Sequence, residues 1–343
     1  MKTPGFSSLC LFSAAMGLIA AGCVKDRPAG RELRVLAPSS LASREGFLPS
    51  AAEGFQKESG CRLEVESTLG AAQMVSLLKD PKSRESYDVV MGVDEVLLGR
   101  LMPYLSAEDF SGLELSKRIL PELARHLRPG WVPLDYSALS LVYRVAEFPN
   151  PKVLPRNRRD LLGSALRKKF ILQDPRASSP GQMFFLFIHG AVGLQELKDR
   201  WLTLAPSWDS SYQMFLAKEA PMVWTHLTSL AYHASKGERD RFGFVEFEEG
   251  LPVQVEGMAV VQKSPGNLRN PCVDAWMRHV LKPGILAELS RKQWMFPVYR
   301  EVAIPPFFQH VPQVRRIFEV DSDSQSVDSK MISFERELSG VSP

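Results

Sequence analysis

Aromatic rings with polar tips crowd one stretch of this chain. Between Ser207 and His233 (SWDSSYQMFLAKEAPMVWTHLTSLAYH) stand Trp208, Tyr212, Trp224, His226 and Tyr232, beside Asp209 and several hydroxyl residues, with few aliphatic side chains. Such rings combine apolar surface with a negative face that attracts cations, which suits a flat, positively charged organic ligand. Rings at helical spacing also serve as core packing, so each residue taken singly reads first as packing and the cluster draws its meaning from its surroundings. A second stretch, 172–181 (LQDPRASSPG), carries a helix start, because Ser179 can accept from orphan amides and Pro180 lacks a proton that would go unpaired there. A helix N-terminus flanked by the Ser178 and Ser179 hydroxyls and Arg176 can hold a phosphate or another anion, or it is only a capped helix after a turn. His226 and His233 lack Cys or carboxylate ligands at supporting spacing, so no metal is expected. The chain contains neither a GxSxG elbow nor HExxH, and no catalytic residue or cofactor is expected.

Alternating helices and strands must position these groups. Residues 32–37 (ELRVLA) alternate as a strand that Pro38 and two serines end; a helix follows near 46–59, with Phe47, Ala51 and Phe55 four apart and Gly60 as its stop. A second strand at 61–67, a helix at 71–79 and a buried strand at 88–93 complete a βαβαβ alternation, which predicts a parallel sheet covered by helices. Ligands approach such sheets at the carboxyl ends of the strands, where Pro38–Ser40, Gly70 and Asp94 would sit. Residues 131–143 and 251–262 are apolar and β-rich and read as two strands crossing between lobes, which makes a clamshell. The expected division is 32–132 with 260–343 as the first lobe, including the C-terminal helices, and 133–259 as the second, including the crossing strands. The acidic, Ser-rich 320–329 reads as a loose connection to one last helix.

The N-terminus speaks for export. An apolar run from Leu9 to Ala21 is too short for a mature membrane span, and Ala20-Ala21-Gly22-Cys23 resembles a bacterial lipoprotein processing box. Residues 1–23 are therefore expected to be a lipoprotein signal with Cys23 as the lipidated residue, and 24–31 a polar tether. Roughly 310 to 320 residues remain, enough for two lobes with a sizeable core. The formal charge of +3 is scattered and no basic run is interleaved with aromatics, so nucleic acid is not expected as a partner. Cys61 and Cys272 are the two cysteines left outside the N-terminal segment, and they could pair in an oxidising compartment.

Six blocks in order, DVVMGVDEVLLGRL, VPLDYSALSLVY, LQDPRASSPG, the 208–233 stretch, LPVQVEGMAV and QWMFPVYREVAIP, resemble the thiamine-binding subunit of bacterial ABC transporters over residues 32 to 310. The resemblance implies an α/β, two-lobed periplasmic-binding-protein type II clamshell, each lobe a mostly parallel sheet flanked by helices. It implies a non-enzymatic, monomeric protein in the periplasm or at the cell surface, lipid-anchored to the membrane, that hands thiamine or a thiamine phosphate to an ABC permease. Ser178 matches the family's phosphate-side serine, Trp208 and Tyr232 match cleft aromatics, and Trp294 matches the ring that closes over the ligand. Three positions depart: an aromatic is replaced by Pro38, an acidic residue by Gly70 and a tyrosine by His226. Asp94, Asp135, Asp209 and Glu256 are the carboxylates near the expected cleft edges that could compensate. Another cationic heterocycle or small organic solute is the alternative ligand; ferric ion is disfavoured, because no Tyr-Tyr pair occurs.

Overall fold

The computed structural model describes residues 32–321 and 324–338; the expected signal, the tether and Cys23 lie outside the described residues. Among the described residues, eleven strands follow one another: β1 (Glu32–Pro38), β2 (Arg62–Thr68), β3 (Val89–Asp94), β4 (Trp131–Arg144), β5 (Phe170–Gln173), β6 (Trp201–Ala205), β7 (Met222–His226), β8 (Phe242–Phe244), β9 (Leu251–Val260), β10 (Phe296–Pro297) and β11 (Ile317–Phe318). The helices Phe47–Ser59 and Ala71–Lys79 form between the first three strands, as the alternation predicts. The first buries Phe47, Leu48, Ala51 and Phe55 on one face and stops at Gly60, which takes the left-handed conformation (φ 70°) while its amide donates to the Gln56 carbonyl.

The strands hydrogen-bond in the order β2-β1-β3-β9-β4-β7-β5-β6. Parallel pairing is confined to β1 with β2 and β3, to β5 with β6 and β7, and to the short β11 beside β9. β9 runs antiparallel to both β3 and β4, and β4 runs antiparallel to β7. Within each lobe the pairing is thus parallel, as expected, and the antiparallel pairs all involve the crossing strands β4 and β9. The reason is connectivity: a chain that leaves one lobe through β4 and returns through β9 must traverse the middle in opposite senses.

Two hydrophobic cores flank that middle. β4 contributes Trp131, Val132 and Leu134 to the first and Ala138, Leu139, Leu141 and Val142 to the second, and β9 contributes Val255, Met258, Ala259 and Val260 to the first and Leu251 to the second. The C-terminal helix corrects the expected division. Within Ser324–Leu338, Val327, Met331 and Phe334 form an apolar stripe at i, i+4, i+7 that packs in the second core, with Phe334 3.9 Å from Phe185 between ring centroids. By this point β11 has already carried the chain back along the second-lobe end of β9, beside Leu251 and Pro252.

Cys61 and Cys272 form a disulfide, their Cα atoms 6.0 Å apart, tying the start of β2 to the helix Cys272–Val280. The bridge closes a 211-residue separation, and loop-closure entropy of that kind contributes roughly 2–5 kcal/mol to stability. Trp201 and Trp276 lie in the core, Trp276 edge-on to Phe55 at 4.9 Å. No helix among the described residues is long and apolar enough to cross a membrane.

Candidate functional site

The two lobes face each other across a cleft of about 780 Å³, part of it open to solvent, a size typical of small-molecule sites. The first lobe contributes Pro38–Ser40 from the end of β1, Thr68–Ala71 from the end of β2, and Gly92. The second lobe contributes Ser178–Pro180, Ser207–Asp209 and His226. Glu256 of β9 and Gln293 and Met295 from the C-terminal part also line the cleft. Pro38 and Gly70 therefore sit where the strand ends predict, at the carboxyl edge of the first sheet.

The aromatic stretch folds as a helix (Trp208–Leu216), the strand β7 and a second helix (Ser229–Ser235). Ser207 caps the first helix, its Oγ accepting from the Ser210 amide at 3.1 Å, and this sets Trp208 at the cleft wall. Tyr212 stacks on Trp208, with centroids 5.0 Å apart and an interplanar angle of 12°, and the indole Nε1 donates to Thr225 Oγ1 at 2.9 Å. The ring is thereby held rigid, with Tyr212 against one face. Trp224, the other tryptophan of the stretch, is fully buried and is core.

Ser178 is the N-cap residue of the helix Ser179–Ile188, one position earlier than the Ser-Pro pair suggests, and its side chain makes no capping bond. Ser178 and Ser179 both line the cleft, the Ser179 hydroxyl being shared with Asp94 and Gln254. Arg176 does not join them, because its guanidinium is held by Asp174 through Nε at 2.9 Å and through a second nitrogen at 2.5 Å. Neither Lys nor Arg lines the cavity among the described residues.

Asp94 lies behind the wall. It is 1 % exposed and caps the helix Glu95–Leu101, its Oδ1 accepting from the Leu97 amide at 2.9 Å. A relay leads from it to the surface of the cleft: His226 Nε2 donates to Gln254 Oε1 at 3.0 Å, and Gln254 Nε2 donates to Asp94 Oδ2 at 2.5 Å. Burial holds His226 down to about 4, against the bond to Gln254, so its ring is neutral at ordinary pH. Burial raises Asp94, while Ser179, the Leu97 amide and Gln254 pull it down.

Tyr232 and Trp294 are not among the lining residues. Their rings meet edge to face at 5.4 Å, and Trp294 also lies parallel to Phe308 at 6.3 Å. Trp294 ends the helix Pro283–Gln293 in the left-handed conformation (φ 55°), which turns its side chain away while its neighbours Gln293 and Met295 face the cavity. Of the three rings that the resemblance implies at the ligand, Trp208 stands at the wall, and the Tyr232–Trp294 pair lies outside the lining.

The lobes touch directly. Ser39 Oγ donates to Asp209 Oδ2 at 2.7 Å across the cleft. A Cβ built on Gly70 would stand 2.4 Å from the Ala177 carbonyl oxygen of the opposite lobe, so the missing side chain is what permits this approach. Ser39 lies in the strand end to which the sequence pointed, whereas Thr68, Gln254, Gln293 and Met295 are common residue types that no local signal singled out.

Residues 84–324 match the family described as bacterial extracellular solute-binding protein. A thiamine-binding periplasmic protein of Brucella abortus is 28% identical over 318 residues, covering 89% of this chain and 90% of that protein. One from Escherichia coli K12 is 26% identical over 288 residues, covering 81% and 84%. The solved structure of a periplasmic thiamin binding protein superposes with a TM-score of 0.77 at 24% identity, covering 91% of this chain and 96% of that one.

Proposed function

The chain belongs to the bacterial extracellular solute-binding proteins, and from that premise we propose that it captures thiamine or a thiamine phosphate ester in the cleft and delivers it to the permease of an ABC transporter. The observation that carries this reading is the cleft's chemistry: a rigid indole at the wall, the Glu256 carboxyl in the lining and, among the described residues, neither Lys nor Arg, which together suit a flat cationic heterocycle. The names of the relatives from Brucella abortus and Escherichia coli point to the same ligand. The uncapped Ser178 at the start of a ten-residue helix supports a place for an ester's phosphate, since its hydroxyl and the orphan amides are free to donate.

Pro38, Gly70 and His226 stand where the family resemblance implies an aromatic, an acid and a tyrosine, and they favour the second reading, another cationic heterocycle. Titrating the mature chain with thiamine separates the two. Saturable one-to-one binding is expected, and a folded chain with no saturable binding overturns the thiamine assignment.

The protein works in the periplasm as a lipid-anchored monomer, with Cys23 carrying the lipid. The Cys61–Cys272 disulfide fits an oxidising compartment. Wild type should fractionate with membranes and label with fatty acid, and Cys23→Ser should abolish the label; an unlabelled, soluble wild type contradicts the anchor.

A further inference from the structure

The register of the central strands places three carboxyl groups side by side. Asp94 of β3 pairs with Glu256 of β9, and Glu256 pairs with Asp135 of β4. Directly opposed residues of antiparallel strands send their side chains to the same face, so the three acids form one row across the junction of the lobes. Glu256 reaches the cavity, while Asp94 (1 % exposed) and Asp135 (3 % exposed) flank it under cover. Asp135 Oδ1 is buried without a hydrogen-bond partner.

The charges that act on Glu256 and Asp135 are those of carboxylates, Asp94 on the first and Glu256 on the second. The other titratable groups facing the cavity do not relieve them: His226 of β7 donates to Gln254, and Asp209 accepts from Ser39. Glu95, next to Asp94, is bound to His126. A row of acids with an unpartnered, buried oxygen and an open side toward a cavity without Lys or Arg lacks one component, a positive charge.

We propose that Glu256, backed by Asp94 and Asp135, is the seat of the ligand's positive charge and exchanges a proton for it: the Glu256 O–H bond breaks, the proton leaves to solvent, and the carboxylate faces the cation. This deepens the proposed function and rests on its cationic ligand. In the ligand-free protein burial and the Asp94 charge push the Glu256 carboxyl up to about 8, so near neutral pH the group is protonated. A cation beside it favours the ionised form, so the bound state holds fewer protons. By linkage, affinity then rises with pH up to about 8 and levels off above it. In the ligand-free protein the sign is opposite for stability: a carboxyl raised in the folded state contributes stability at low pH that is lost as pH rises from the ordinary carboxylate range through about 8.

Calorimetric titration of the full mature chain with thiamine, in two buffers of different ionisation enthalpy, counts the protons. Wild type is expected to release close to one proton near pH 7 and to gain roughly fiftyfold in affinity between pH 6 and pH 8. Glu256→Gln should lose both the release and the slope, and Asp94→Asn, which keeps Glu256 and removes the charge that acts on it, should reduce them. Thiamine binding without proton release, or a Gln variant with the wild-type slope, overturns the proposal and leaves the thiamine assignment standing. Where wild type binds no thiamine, the assignment fails and ligand-free melting decides the row. Stability should fall from pH 5 to pH 8 in wild type and fall less in Glu256→Gln, and equal pH dependence in the two overturns it.

Discussion

Replacing Trp208 by Ala should weaken thiamine binding roughly hundredfold, a loss of about 2–3 kcal/mol. The ring lines the cleft, is backed by Tyr212 and is pinned through Nε1 to Thr225, so it presents its surface with little rotamer entropy left to lose. Its removal takes away apolar burial and the attraction of a cation to the ring together. Trp208→Phe, which keeps a face, should recover a large part of the loss. Trp276→Ala serves as the contrast: that ring is fully buried against Phe55 in the first core, so its loss should lower the melting temperature and leave affinity close to wild type in the folded fraction. Trp294→Ala should weaken binding less than Trp208→Ala, because its ring packs on Tyr232 and Phe308 outside the lining. Wild-type affinity in Trp208→Ala would contradict the placement of the ligand.

Gly70→Ala should weaken binding roughly tenfold to hundredfold while leaving the melting temperature of the ligand-free protein nearly unchanged. The backbone of Gly70 is extended (φ 171°), a conformation any residue adopts, so alanine brings no local strain. What it brings is a methyl carbon 2.4 Å from the Ala177 carbonyl oxygen, an unyielding backbone atom of the other lobe. Overpacking of this kind costs about 1–3 kcal/mol, and here the cost falls only on the closed arrangement. Small-angle scattering at saturating thiamine should therefore give a larger radius of gyration for the variant than for wild type. Equal affinity and equal radius would show that the contact between Gly70 and Ala177 is not made when ligand is bound.

Much of this was legible in the sequence for physical reasons that can be named. Alternation and four-residue spacing located the strands and helices of the first lobe, and Gly60 marked a helix end because a left-handed residue there is best met by glycine. The two crossing strands were legible as long β-branched runs, and the aromatic stretch as the source of the cleft wall. The antiparallel pairing of those crossing strands was not, since strand direction is set by connectivity between distant segments. Nor was the docking of the last helix: its stripe of Val327, Met331 and Phe334 predicts a buried face without saying which core receives it.

The site was legible by type and less so by position. Trp208, Ser178 and His226 line the cleft, whereas Trp294 turns away because a single left-handed residue at a helix end redirects it. Gly70 illustrates the limit from the other side: in the sequence it reads as a missing carboxylate, and in the fold it is the point where two lobes approach too closely for any side chain. The row of Asp94, Glu256 and Asp135 depends on a register shared by three strands, one of them far away in the chain, and no local pattern encodes that.

The central claim is that this cleft holds a thiamine compound. Calorimetric titration of the mature chain with thiamine, thiamine monophosphate and thiamine diphosphate, each at neutral pH, tests it most directly. The account predicts one site per chain and a dissociation constant of roughly micromolar or tighter for at least one of the three, with the order among them reporting whether Ser178 and its helix N-terminus receive a phosphate. No saturable heat from any of the three, with a protein that melts cooperatively, would contradict it.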